Sequence, residues 1–237
     1  MPKLALKGGE RVRTEIIHGW PVPTGKEIEA FDRILKSGIW GTMGPEVKKF
    51  EEKFAEYQQV KHALAVTSGT TTLEIALRAL GIGYGDEVIV PPFTFYATVS
   101  AVIVNNATPV FVDIESDSYN IDPEKIEAAI TPRTKAIIPV HIGGRACNMD
   151  RIMEIAKKHN LYVIEDCAHA HGSEWKGQRV GSIGDAGSFS FQNSKNLTCG
   201  EGGCLTTNNT ALYEKMWSIH CCGRDFHDTG WYVHPYV

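Results

Sequence analysis

From about residue 62 onward, short apolar runs alternate with stretches of helical period, and no other feature limits the possible fold of this chain as strongly. The runs fall at 62–66, 87–90, 109–112, 135–140, 161–165, 187–191 and 204–206, and helical stretches such as 70–80, 123–130 and 149–159 lie between them. Several runs are apolar on both faces, as strands must be when crossover helices cover a sheet from both sides. The spacing therefore predicts an α/β fold with a large, mostly parallel central sheet. In such sheets ligands bind at the carboxyl ends of the strands, so the loops directly after them are where chemistry is expected.

Upstream, residues 1–24 read as an irregular arm, rich in Gly and Pro and ending in Trp20-Pro21-Val22-Pro23. Thr24 is a candidate N-cap for a helix carrying Ile28, Phe31 and Leu35 on one stripe, with Gly38 just past its end. A second amphipathic helix follows Pro45, with Val47, Phe50, Phe54 and Tyr57 at spacings of three and four. Both are expected to be packing helices. The division of the chain is then 1–24 as arm and 25–237 as one large domain.

Composition excludes several classes. With 24 Lys plus Arg against 28 Asp plus Glu, the net charge is −4, which argues against a nucleic-acid partner held by phosphate contacts. Apolar runs such as 63–66 fall far short of the roughly 20 residues a membrane helix requires, and the N-terminus lacks the apolar core of a secretory signal. A cytoplasmic protein without a membrane partner is the expectation. Six cysteines are scattered without a CxxC pair, so no zinc ribbon is expected, and Cys221 and Cys222 beside His220 and His227 are a poor metal set.

Three strand ends carry candidate chemistry. Thr67-Ser68-Gly69-Thr70-Thr71 ends one strand and opens a helix. The free N–H groups and positive dipole of a helix start suit a phosphate, and Gly69 permits close approach, although plain N-capping explains the same residues. Gly81-Ile82-Gly83 follows a helix and reads as a C-cap and turn. The second strand end is Glu165-Asp166-Cys167-Ala168-His169-Ala170-His171. An acidic pair closing an apolar strand needs cations or strong donors, because burying a bare carboxylate is costly. Asp166 is either an N-cap or ion-pair partner, or a carboxylate holding a proton on a heterocyclic nitrogen. His169 and His171 with Asp166 make only a weak metal candidate. The third is Ser188-Phe189-Ser190-Phe191, whose alternation puts both rings on one face and both hydroxyls on the other, followed by Lys195 in a polar turn and by the loop Gly200-Glu201-Gly202-Gly203. A desolvated lysine there loses its proton readily and becomes a nucleophilic amine.

A phosphate cradle, a carboxylate and an amine at the ends of different strands are what pyridoxal 5′-phosphate requires. The stretches VTSGTTTLEIALRAL, VIVPPFTFYAT, YNIDPEKIEAAITPRTKAIIPVH, VIEDCAHAHGS and SFSFQNSKNLTCGEGG, in this order, resemble the DegT and StrS family of fold-type-I sugar aminotransferases from about residue 18 onward. The resemblance implies that Lys195 forms the Schiff base and moves the substrate proton, that Asp166 keeps the pyridine nitrogen protonated, and that Phe95 stacks on the ring. It also places Gly69, Thr70 and Ser190 at the phosphate and His169 beside the cofactor, with Glu201 shaping the turn. Members act as homodimers, taking an amino group from glutamine or glutamate to a keto-sugar or keto-cyclitol. The leader LALKGGERVRTE with GWP, and AHAHGSEWKGQRVG, are most similar to the cyclitol aminotransferase and aminohydroxybenzoate synthase branch. Lys195 speaks against members that dehydrate sugars with a His in its place. Amination is the expected activity; dehydration of the aminohydroxybenzoate type, or a truncated remnant that only binds cofactor or a partner, are the alternatives. The family continues past Val237 into a smaller domain, so the chain is expected to be truncated there.

Overall fold

A computed structural model describes residues 3–16, 19–41 and 44–227. Among the described residues the arm carries one 3₁₀ turn, Ala5–Lys7, and leads to two helices, α1 (Lys26–Ser37) and α2 (Pro45–Gln58). Then come β1 (His62–Val66), α3 (Gly69–Ala79), β2 (Glu87–Val90), α4 (Ala97–Val104), β3 (Thr108–Phe111), α5 (Pro123–Ile126), β4 (Thr134–Ile137) and α6 (Met149–His159). The remainder is β5 (Tyr162–Asp166), a small hairpin of β6 (Glu174–Trp175) and β7 (Gln178–Arg179), β8 (Ala186–Ser190), β9 (Gly203–Thr207) and α7 (Thr210–His220).

Among the described residues, seven strands form one sheet in the order β1-β9-β8-β5-β4-β2-β3. Strand β9 runs antiparallel to both of its neighbours, whereas the pairs from β8 across to β3 are parallel. The carboxyl ends of β1, β2, β4, β5 and β8 therefore open on one edge of the sheet. Alternation along each strand divides the core. Ile164 joins Leu73, Ala76, Ala101 and Met216 under α3, α4 and α7, while its neighbour Val163 joins Ile137, Met149, Ile152 and Ile155 under α6. Phe189 and Phe191 lie with Phe54 of α2 in edge-on ring contacts, so the alternation expected for 188–191 is present. Burying each such side chain contributes about 1.5–3 kcal/mol, which fixes the register of every strand.

Several expectations are corrected. Gly25, with φ 86°, is the N-cap of α1; Thr24 instead donates its N–H and hydroxyl to the Glu27 carboxylate. The stripe of Ile28, Phe31 and Leu35 does not pack: these side chains are 76%, 67% and 61% exposed. Segment 123–130 is not one helix, because α5 tightens into a 3₁₀ turn at Glu127–Ala129 and Ile130 is already extended, two residues before Pro132. Helix α4 has no polar stripe, and its Ala/Val/Ile composition suits a buried strand equally well; packing against α3 decides for helix. The end of the large-domain assignment, residues 228–237, lies outside the described residues.

Candidate active site

The turn between β1 and α3 does two things together. Ser68 caps the helix by accepting from the Thr71 N–H at 3.1 Å, as capping predicts. Capping leaves the N–H groups of Gly69 and Thr70 without partners inside the helix, on the edge of a cavity. A Cβ at Gly69 would stand 2.7 Å from the Ser190 Cβ, so only glycine lets the end of β8 approach the helix start. Gly203 has a parallel role at the start of β9, where a Cβ would meet the Ser68 carbonyl at 2.4 Å.

Asp166 closes β5 and is buried. Its Oδ2 accepts from the Thr98 hydroxyl at 2.8 Å and its Oδ1 from the Ala168 N–H at 3.1 Å. Neutral donors, rather than a lysine, thus hold a carboxylate that lines the cavity. The ion-pair alternative has no partner among the described residues. Thr98 was not singled out in the sequence; the available signal was Thr94 and Thr98 four apart, whose hydroxyls bond at 2.8 Å at the start of α4.

Lys195 follows β8 in a turn closed by its N–H on the Gln192 carbonyl, 2.9 Å away. Burial lowers its pKa from the usual lysine value, and the negative charge of Asp166 only partly opposes this. The Trp20 indole donates to the Lys195 carbonyl at 3.0 Å, bringing the arm onto the lysine turn. Burial also lowers the pKa of His169, aided by the Lys195 charge and opposed by Asp166. Its Nδ1 accepts from the Gly143 N–H at 3.4 Å, so the neutral ring carries its proton on Nε2.

All seven residues singled out in the sequence, Gly69, Thr70, Phe95, Asp166, His169, Ser190 and Lys195, line one cavity of about 680 Å³, a size suited to a cofactor with a small substrate. Phe95 is 59% exposed and faces that space, so it is not a strand-end core residue. Glu201 is also at the wall. His171 is not: it packs on Phe189 and Phe191 and bonds Asn196 at 2.7 Å, so it forms no metal set with His169 and Asp166. The donor set fits pyridoxal phosphate, with hydroxyls and a helix start at one end, a held carboxylate at another, and an amine at the rim.

The family comparison rests on nearly the whole sequence, since residues 23–236 match the DegT/DnrJ/EryC1/StrS aminotransferase family. This chain belongs to that family. Among its curated relatives are the spore coat polysaccharide biosynthesis protein SpsC of Bacillus subtilis, 50% identical over 83% of this chain and 50% of the relative, and the L-glutamine:2-deoxy-scyllo-inosose aminotransferase of Streptomyces kanamyceticus, 42% identical over 95% and 54%. The crystal structure of 3-amino-5-hydroxybenzoic acid synthase superposes with a TM-score of 0.88 at 43% identity, covering 92% of this chain and 57% of that one. A Streptococcus pneumoniae protein described as a sugar aminotransferase, solved in PLP and PMP forms, superposes at 0.82 and 0.81 with 37% and 38% identity, over 89% and 86% of this chain and 58% and 57% of that one. The fold is that of the fold-type-I aminotransferases, and the chain spans about half the length of the curated relatives it matches. No helix among the described residues is long and apolar enough to cross a membrane.

Proposed function

We propose that this chain is the cofactor-binding part of a pyridoxal-phosphate-dependent aminotransferase that moves an amino group from glutamine or glutamate to a keto-sugar or keto-cyclitol. The observation carrying this is the convergence of the α3 start, Asp166 and Lys195 on one cavity. When bound, pyridoxal phosphate supplies an aldehyde and a ring that accepts electrons. The N–H groups of Gly69 and Thr70 and the Ser190 hydroxyl would hold its phosphate, assisted by the dipole of α3. Asp166, oriented by Thr98 and Ala168, would accept a proton-bearing ring nitrogen and offset its charge. Phe95 offers a ring face for stacking, and His169 an Nε2–H beside it. Lys195, partly desolvated, has more free amine at neutral pH than a surface lysine, which suits it to join the aldehyde and then to carry the proton at the substrate carbon.

The net charge of −4 suits a small-molecule enzyme better than a nucleic-acid binder. Exposed apolar side chains, among them Tyr96, Ile103 and Phe111, support a homodimer, and the buried thiols of Cys147, Cys167 and Cys204 suit the reducing cytoplasm.

The test is to load the protein with pyridoxal phosphate, reduce with borohydride and map the label, then follow ¹⁵N from glutamine into a keto-cyclitol. Label on Lys195 with transfer of ¹⁵N is expected. Label on another lysine overturns the site, and elimination of water without transfer of ¹⁵N would select the dehydratase alternative. The loading rate should rise with pH and level off below the usual lysine range, because the Lys195 pKa is lowered.

A further inference from the structure

The strand that ends in Asp166 carries a second carboxylate whose surroundings set it apart. Glu165 points to the opposite face of the sheet and is fully buried, as is His141 beside it. Glu165 Oε1 accepts from the N–H groups of Ile183 and Gly184, both at 2.8 Å, and Oε2 lies 3.1 Å from His141 Nε2. His141 Nδ1 accepts from the Cys147 N–H at 3.0 Å, so Nε2 carries the ring proton and donates it to Glu165. His141 and Glu165 belong, with Cys167, to the only trio of ligand-type side chains close together among the described residues, and within it both imidazole nitrogens already have partners.

The backbone of the same residues holds Asp166. The His141 N–H donates to the Asp166 carbonyl at 3.0 Å, and the Asp166 N–H donates to the Pro139 carbonyl at 2.9 Å. Two residues beyond His141, the Gly143 N–H meets His169 Nδ1, and Ile142 between them lines the cavity. A chain of contacts thus runs from the Glu165 carboxylate through the His141 ring and main chain to both groups that flank the cofactor's proposed ring position. A carboxylate in an apolar layer is costly to bury; here one oxygen ties down the 183–184 turn that leads into β8 and the other holds the His141 ring, whose turn borders the site.

We infer that the His141–Glu165 pair is a positioning device for Asp166 and His169, holding the Asp166 peptide and the 141–144 turn so that the carboxylate meets a ring nitrogen in one orientation. The inference rests on the cofactor assignment proposed above. Glutamine at 165 has nearly the same shape but cannot replace the carboxylate. Its amide would face either the two backbone N–H groups or the imidazole N–H, and His141 cannot change tautomer without opposing the Cys147 N–H.

The experiment is a double-mutant cycle in the whole protein, read as affinity for 4-deoxypyridoxine 5′-phosphate, which has the ring nitrogen and phosphate but no aldehyde for Lys195. Glu165→Gln should weaken binding about ten-fold in the parent background and less than about two-fold in an Asp166→Asn background, because a residue acting through Asp166 has nothing left to position there. Equal losses in the two backgrounds, or no loss in either, would overturn the inference. Should Glu165→Gln fail to fold, His141→Asn enters the same cycle with the same expectation, since it keeps an acceptor for Cys147 but does not reach Glu165. A parent that takes up no pyridoxal phosphate at Lys195 overturns the cofactor assignment and this inference together; normal uptake with an unaltered Glu165→Gln overturns this inference alone.

Discussion

The two edges of the central sheet treat charge in opposite ways. At the amino-terminal edge, Glu87 opening β2 is bonded by Arg133 and by the Thr131 hydroxyl, and Glu127 is bonded by Lys158 at 2.6 Å, His159 at 2.9 Å and Arg151 at 3.4 Å. Hydrogen bonding from Lys158, followed by that from His159, lowers the pKa of Glu127 to about 2. At the carboxyl-terminal edge, Asp166 and Lys195 line the same cavity yet are not joined in an ion pair: the acid is held by a hydroxyl and a peptide N–H, and the amine is partly desolvated. The first edge satisfies its charges within the protein. The second holds opposite charges apart across a space that a ligand of matching chemistry would complete, which marks a site in physical terms.

Substitutions at the two edges should therefore differ sharply. The largest effect is expected from Lys195→Ala, which should abolish both the borohydride-fixed label and amino transfer while leaving the far-ultraviolet circular dichroism unchanged. A persistent label on a different lysine would break the contrast at its strongest point. Next, Asp166→Asn should still take up pyridoxal phosphate, held less tightly. A neutral amide cannot offset the charge of a protonated ring, so single-turnover reaction with glutamine should slow ~10²-fold or more, about 3 kcal/mol in the barrier. A rate within a few-fold of the parent would make Asp166 a structural residue. Gly69→Ala should loosen cofactor retention about ten-fold, because a new Cβ 2.7 Å from the Ser190 Cβ must push the helix start away from β8. Retention equal to the parent would show that the cradle has slack.

The smallest effect belongs to the other edge. Glu127→Gln should leave cofactor binding and transfer unchanged and lower the melting temperature by about 3 °C or less, since its partners are solvated. The sign of the pH dependence follows from the direction of the shift. A carboxylate whose folded pKa falls from 4.5 to about 2 contributes stability above 4.5 that is lost as pH drops toward 2. The gap between parent and variant should therefore close on acidification. A gap that widened below pH 4 would reverse the assignment of Glu127 as a paired acid.

Much of this contrast was legible before folding was considered. The strands fall within a few residues of the apolar runs, because a buried strand needs local composition and turn signals that short windows carry. Gly69, Thr70, Asp166, His169, Ser190 and Lys195 lie in stretches that end or follow strands, and the parallel sheet gathers strand ends at one edge, whereas Phe95 was reached only through the family resemblance. Other features depend on partners distant in sequence. Thr98 reaches Asp166 across 68 positions, and Trp20 meets Lys195 across 175. The apolar stripe of α1 reads as a core face and lies exposed, because periodicity reports that a helix has a face to bury and not what covers it.

Glu165 and Asp166 show where the division falls. Sequence alone determined that they point to opposite sides, since alternate residues of a strand must, and that neither could be buried without partners. Strand geometry does not say which of the two faces the cavity: the family resemblance pointed to Asp166, and the physical reason appears only in the tertiary structure. Helices α3 and α4 pack on the Asp166 side and bring Thr98 and the phosphate turn with them, while α6 and the turn at Ile183–Gly184 close over Glu165 and His141. Strand geometry is local, so the residues specify it themselves. The identity of each face depends on crossover connections from elsewhere in the chain, and these exist only once the sheet is assembled.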